Sequence, residues 1–337
     1  MKKVEGYSGR VEGTIMLNAN ELSFDMAQNY MDEIIAGLKE LSFNRYPDTT
    51  NQRVIDAYAS AMNLDANMIL AGNGSDEMLG FLIGSFLGKD KTLYTLAPDF
   101  SMYDYYCGMH DASIAKFACA KDGSWNVDAF IAQGQTVQPH MILFSNPNNP
   151  SGYAMDCASL CKLLTAFPNI PVIIDEAYGE FNDESMLAYL DQYPNLYVTR
   201  TLSKAYGLAG ARIGFLISNV DNMERLRPQV VPYNVNSFTQ MLASVVLKHH
   251  QDYACQIEAV KQMRDTMYER LKGLQNITIY PSKANYLFGR CANKEKMLAA
   301  FEAEGIVIRN YGDDSFRITI GLATENEKVC SILETIG

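Results

Sequence analysis

Through the first two thirds of the chain, short apolar runs bounded by turn-forming residues alternate with segments whose apolar positions recur at helical spacing. The runs at 68–70, 91–96, 113–117, 141–144, 172–175, 197–200 and 213–217 read as strands, and patterns at 51–62, 76–87, 100–109, 157–167 and 220–227 read as helices. Alternation of this kind marks right-handed βαβ units, so a mostly parallel sheet is expected. After Pro232 the rhythm changes. Long helices are predicted at 237–249 and 253–274, then strands at 277–280 and 286–288, a helix over 294–304, and strands at 306–309 and 316–320. This second pattern describes a separate, smaller α+β domain, joined by helices or short loops because no linker-like Pro/Ser tract intervenes.

Composition adds exclusions. With 28 Lys+Arg against 39 Asp+Glu, the net charge of −11 over 337 residues argues against a broad basic face for nucleic acid. The start MKKVEG has no apolar run behind its lysines, and the longest apolar stretch, 81–87, is broken by Gly84 and Ser85 and is too short to span a bilayer. Seven cysteines without a CxxC pair and four histidines without ligand spacing point to reduced thiols and no metal. A soluble, cytoplasmic protein is expected, with neither nucleic acid nor membrane as partner.

The segment 201–214, TLSKAYGLAGARIG, puts two hydroxyls (Thr201, Ser203), one lysine (Lys204), three glycines and Arg212 directly after an apolar strand. That composition suits a phosphate held beside a reactive amine, although a loop lysine is ordinarily a solvated charge. GNGSDE at 72–77 also follows a strand and opens a helix, with Ser75 expected as its N-cap and Asp76 in the first turn, an arrangement that presents backbone N–H groups to an anion. It is neither the GxGxxG nor the P-loop pattern. Asp175 stands at the carboxyl end of a buried strand, the edge where open α/β sheets bind ligands, and a carboxylate there needs a cation or donors. SNPNNPSG at 145–152 reads as a turn ending another strand, and Tyr103, in PDFSMY, reads as a core aromatic.

Taken together, LNANE at 17–21, RYPD at 45–48, GNGSDE at 72–77, PNNPSG at 147–152, DEAYGEF at 175–181, the lysine segment at 201–214 and FRITIG at 316–321 span essentially the whole chain. In this order they resemble the fold type I pyridoxal-phosphate aminotransferases, and within them the histidinol-phosphate aminotransferase family. The resemblance implies an aspartate aminotransferase-like architecture: a three-layer αβα large domain with a mostly parallel seven-stranded sheet, plus the smaller α+β domain. It divides the chain into an N-terminal arm at 1–30, a large cofactor domain at 31–232 and a small domain at 233–337.

Carried over residue by residue, Lys204 forms the Schiff base with pyridoxal 5'-phosphate and shuttles the proton, Asp175 pairs with the pyridinium nitrogen, and Tyr178 and Asn149 donate to the phenolic oxygen. Tyr103 stacks on the ring. Gly74, Ser75, Asp76, Thr201, Ser203 and Arg212 form the phosphate cradle, and Tyr46 reaches that phosphate from the other subunit of a homodimer with shared sites. Arg317 grips the substrate carboxylate, Asn20 lies near the same substrate, and Arg309 and Tyr7 receive its phosphate. The implied reaction is histidinol phosphate with 2-oxoglutarate, giving imidazole acetol phosphate and glutamate. Aromatic amino acid transamination and threonine-phosphate decarboxylation are the alternatives on the same scaffold.

Overall fold

The computed structural model describes residues 15–337. Among these residues, twelve strands form two sheets: β1 Ile15–Leu17, β2 Ile69–Gly72, β3 Thr92–Ala97, β4 Ser113–Ala118, β5 Met141–Ser145, β6 Val172–Asp175, β7 Leu196–Thr201, β8 Gly214–Ile217, β9 Ile277–Tyr280, β10 Tyr286–Cys291, β11 Ile306–Asn310 and β12 Ser315–Thr319. The larger sheet has the order β2-β8-β7-β6-β5-β3-β4. Only β8 runs antiparallel to its neighbours, so the sheet is mostly parallel, as the βαβ alternation requires.

The central strands are buried on both faces, and side-chain parity sorts them into two cores. Ile142, Phe144, Val172, Ile174 and Val198 join the core formed with helices Gln52–Met62, Val127–Val137 and Cys157–Ala166. The intervening positions Met141, Leu143, Ile173 and Tyr197 face helices Ser75–Phe86 and Met102–Met109. Ser145, Asp175 and Thr199 lie in register across β5, β6 and β7 and continue the second set. Each buried aliphatic side chain contributes about 1.5–3 kcal/mol, so a double-sided core of this size holds polar groups at its edge without unfolding.

The smaller sheet has the order β1-β11-β12-β10-β9, antiparallel except where β1 pairs in parallel with β11. A strand from the start of the described chain therefore completes a sheet built from its end. Helices His250–Leu271 and Lys294–Ala303 pack with this sheet, Ala323–Ile336 packs against those two helices, and Ser237–Lys248 packs against Gln52–Met62 and Met31–Glu40.

Helix Ala323–Ile336 was not singled out by the sequence pattern, although its buried positions 326, 329, 330, 333 and 336 follow helical spacing. The expected N-cap shifts by one residue. Gly74, at φ 85, occupies the cap position without a side-chain bond, and Ser75 is the first helical residue. Close approach explains the glycines here: a Cβ on Gly214 would lie 2.1 Å from the Ser75 amide, and one on Gly74 would lie 2.6 Å from an Arg212 guanidinium nitrogen.

Candidate functional site

The parallel strands and β2 all end at one edge of the larger sheet, and the connections leaving that edge deliver the candidate chemistry. β6 ends on Asp175, which is 3% exposed. Thr199 donates to its Oδ1 at 2.8 Å, and the Tyr103 hydroxyl donates to Oδ2 at 2.9 Å. Burial pushes this carboxyl up to about 6, while the two hydroxyl donors hold it down. Tyr103 therefore meets Asp175 through its hydroxyl.

Three consecutive arm residues touch the side chains brought by other elements. The Asn18 carbonyl accepts from Arg317 Nη2 at 2.9 Å, the Ala19 carbonyl accepts from Lys204 Nζ at 2.8 Å, and Asn20 Nδ2 donates to the Tyr178 hydroxyl at 2.8 Å. Burial, followed by the neighbouring Arg317 charge, brings the Lys204 ammonium down to about 8. Burial also pushes the Tyr178 phenol up to about 12. Arg317 donates through Nη1 to Asn149 Oδ1 and lies 5.0 Å from the centre of the Tyr286 ring. Its Nε is buried with no hydrogen-bond partner among the described residues.

At the start of helix Ser75–Phe86, Arg212 Nη2 pairs with Asp76 at 3.1 Å. Thr201 and Ser203, both buried, hydrogen-bond through their hydroxyls at 3.0 Å. First-turn amides, two hydroxyls and a guanidinium at a glycine that leaves no room for a side chain form a cradle suited to a phosphate. These features fit pyridoxal 5'-phosphate: an amine with a lowered pKa, a buried carboxylate and a phosphate cradle.

Tyr46 points elsewhere. It is 81% exposed and stacks on Tyr233 with ring centroids 4.5 Å apart. Arg309 lies directly opposite Arg317 in the β11–β12 register, with its guanidinium 5.9 Å from the Tyr311 ring centre, so the eight-residue interval between the arginines is a tight hairpin. Tyr7 lies outside the described residues.

The model of the family described as aminotransferase class I and II matches residues 12–334. The chain belongs to this aminotransferase family. Aminotransferases of this class use pyridoxal 5'-phosphate. Among curated relatives, the histidinol-phosphate aminotransferase of Clostridium novyi (strain NT) is 34% identical over 95% of this chain and 91% of its own length. The crystal structure of histidinol-phosphate aminotransferase from Clostridium acetobutylicum superposes with a TM-score of 0.86 at 23% identity, covering 96% of this chain and 98% of that one. The enzyme of that name from Sinorhizobium meliloti, solved in complex with pyridoxal-5'-phosphate, gives 0.85 at 21% identity, covering 96% and 90%. Both solved structures share the fold.

In this aminotransferase the candidate site also contains residues that the motifs do not include. Thr199 precedes Thr201 by two positions on β7 and so shares its face, a signal available from strand periodicity. Asp99 accepts from the Ser145 amide at 3.1 Å, from the Ser145 hydroxyl and from the Phe100 amide at 2.8 Å, tying the loop before Tyr103 to the end of β5. Burial pushes Asp99 up to about 8.

Behind the site, buried Arg200 pairs with Glu176 at 2.7 Å and Glu180 at 2.8 Å, fixing the turn that carries Tyr178. Glu176 also accepts from the Ser185 hydroxyl and the Met186 amide, each at 2.7 Å. Arg200→Met leaves two buried carboxylates without their cation and is expected to lower stability by roughly 3–5 kcal/mol. Urea unfolding measures this, and a loss below about 1 kcal/mol contradicts it.

Proposed function

We propose that this aminotransferase moves the amino group of histidinol phosphate to 2-oxoglutarate, giving imidazole acetol phosphate and glutamate. The observation that carries the substrate assignment is the Arg309–Arg317 pair, two guanidinium-bearing residues directly opposite each other on adjacent strands. Residues directly opposite on adjacent strands share a face of the sheet, and two guanidinium-bearing side chains on one face suit a doubly charged phosphate monoester better than a neutral ring. The name shared by the curated relatives supports the same choice.

In this reading, Asp175 would bind the pyridinium nitrogen and Tyr178 and Asn149 the phenolic oxygen, with Tyr103 against the ring. Gly74, Ser75, Asp76, Thr201, Ser203 and Arg212 would hold the phosphate. When bound, the cofactor supplies the carbonyl that accepts the amino nitrogen and the electron sink that weakens the substrate Cα–H bond. Lys204 Nζ would hold the cofactor and carry the substrate proton, for which its lowered basicity suits it. Arg317, backed by the Asn18 carbonyl and Asn149, orients the substrate anion.

The domain division at 30/31 and 232/233 belongs to this proposal and is supported by the two separate sheets. So does a cytoplasmic location, which suits seven free cysteines. No helix among the described residues is long and apolar enough to cross a membrane.

The active unit in this reading is a homodimer. Phe43 (73% exposed), Tyr46, Tyr233 and Phe238 form two stacked aromatic pairs on the surface, apolar area suited to a second copy. If Tyr46 serves the neighbouring site, co-refolding equal amounts of Lys204→Ala and Tyr46→Ala chains rebuilds one native site in each mixed dimer. About a quarter of native activity is then expected, whereas summed activity of the two parents rejects a shared site.

The deciding experiment is a half-reaction panel. The cofactor-loaded protein is mixed with histidinol phosphate, histidinol, tyrosine, glutamate and threonine phosphate, and the loss of visible absorbance is followed. Fast conversion by histidinol phosphate over its phosphate-free analogue supports the assignment. Equal rates with histidinol or tyrosine favour an aromatic substrate, and carbon dioxide release from threonine phosphate overturns transamination as the principal reaction.

A further inference from the structure

Asn20 is 1% exposed and adopts a left-handed backbone conformation at φ 56, a region Asn tolerates better than most residues. All its polar groups are engaged. Its amide donates to Thr319 Oγ1 at 3.0 Å, its carbonyl accepts from Asn285 Nδ2 at 3.0 Å, and Thr319 Oγ1 donates to its Oδ1 at 3.2 Å. Because Thr319 receives the backbone N–H on its oxygen, its own proton is free to go to Asn20 Oδ1. With Oδ1 directed at the Thr319 hydroxyl, the carboxamide presents Nδ2, a donor only, to the Tyr178 oxygen at 2.8 Å.

We infer that Asn20 is a positioning residue that sets the direction of the Tyr178 hydroxyl proton. Receiving a hydrogen bond from Nδ2, the Tyr178 oxygen cannot spend its own proton on Asn20. The proton is left for another acceptor, and in the proposed aminotransferase, on which this inference rests, that acceptor is the cofactor's phenolic oxygen. The Tyr178 ring cannot easily turn away, since Tyr286 packs edge-on against it with centroids 5.0 Å apart. Its phenol, pushed up to about 12, also stays protonated at working pH. Through Thr319, two residues beyond Arg317 on β12, the small sheet thereby orients a donor on the turn after β6.

The test compares near-isosteric changes in the cofactor-loaded protein. Asn20→Asp presents only acceptors toward Tyr178 and captures its proton, while Asn20→Ala leaves the hydroxyl free to donate. The readouts are the pH midpoint of the cofactor's visible band and the cofactor dissociation constant, with thermal unfolding as a check on folding. Asn20→Asp should raise the midpoint by about one pH unit, a tenfold change, and weaken cofactor binding, with Asn20→Ala shifting it less. A packing role predicts the reverse order.

A direct effect of the new carboxylate is separated by repeating Asn20→Asp in Tyr178→Phe. If Asn20 acts through Tyr178, the shift vanishes there, and if it persists unchanged the inference is wrong. Thr319→Val, which frees the carboxamide to turn over, should shift the midpoint in the same direction by a smaller amount. A normal band unmoved by both Asn20→Asp and Thr319→Val overturns the inference alone. Failure of the native protein to develop any band with added pyridoxal phosphate overturns the cofactor reading and the inference together.

Discussion

Lys204→Ala is expected to fold and retain the phosphate cradle but to lose at least about 10⁴-fold in kcat, because it removes both the attaching amine and the proton carrier. Lys204 contacts Ala19 through Nζ, and the ammonium it presents is already disfavoured by burial and by Arg317. A neutral amine is the reactive form. The rate of cofactor attachment to the cofactor-free native protein should therefore rise with pH up to about 8, where Lys204 loses its proton, and then level off. Borohydride treatment of native protein mixed with pyridoxal phosphate should leave a label that peptide mapping assigns to residue 204, and the alanine variant should show none there. Turnover within tenfold of native removes Lys204 from its role.

The second large effect pits rate against stability. Among the described residues, no lysine or arginine lies within ion-pair distance of Asp175, and its burial is offset by the Thr199 and Tyr103 hydroxyls and the Ala177 amide rather than by a cation. Its carboxyl sits at about 6, above the ordinary 3.8. A carboxyl whose folded-state pKa is raised binds protons more tightly in the folded chain. Its contribution to stability is thus present at low pH and lost as pH rises through the window from about 4 to about 6. Asp175→Asn removes that cost, so the cofactor-free variant should be more stable than native at pH 7, by roughly 2–3 kcal/mol. The same change removes the counter-charge for a pyridinium nitrogen, and kcat should fall by about 10²-fold or more while cofactor affinity changes less. Urea unfolding of the cofactor-free proteins and single-turnover kinetics of the loaded ones measure the two halves. A variant that is less stable and equally fast contradicts the assignment. A site that weakens its own fold until its ligand arrives is a stability–activity trade-off.

The Arg200 cluster marks the contrast between support and chemistry. There, charge is compensated inside the protein at 2.7 and 2.8 Å, whereas Asp175 and the orphaned Arg317 Nε are left to a ligand. Compensated groups hold the turn, and uncompensated groups await the reactants.

The chain's local patterns were enough to set the larger sheet. Runs such as Val172–Asp175 and Met141–Ser145 are apolar at every interior position, which suits a strand buried on both faces, and each ends where its strand does. Asp175 was legible as a candidate for the same reason, since it ends such a run at the carboxyl edge, whereas Lys204 and Asn149 became candidates through the family resemblance. The N-cap lies one position earlier than expected because Gly74, at positive φ, already occupies the cap and Ser75 has entered the helix.

Other features belong to the tertiary structure alone. Nothing local to LNANE says that Asn18, Ala19 and Asn20 contact Arg317, Lys204 and Tyr178, since these partners lie 299, 185 and 158 residues away. The arm reaches them because β1 pairs in parallel with β11, an association between distant segments that leaves no periodic trace in either. The opposition of Arg309 and Arg317 likewise depends on hairpin register, and a slip of one residue would turn them to opposite faces. Sequence by itself determined the edge at which most of the candidate residues emerge, because strand burial and direction are encoded locally. Tertiary structure decided which of them meet and what orients each proton, because hydrogen-bond partners are fixed only when separate elements pack.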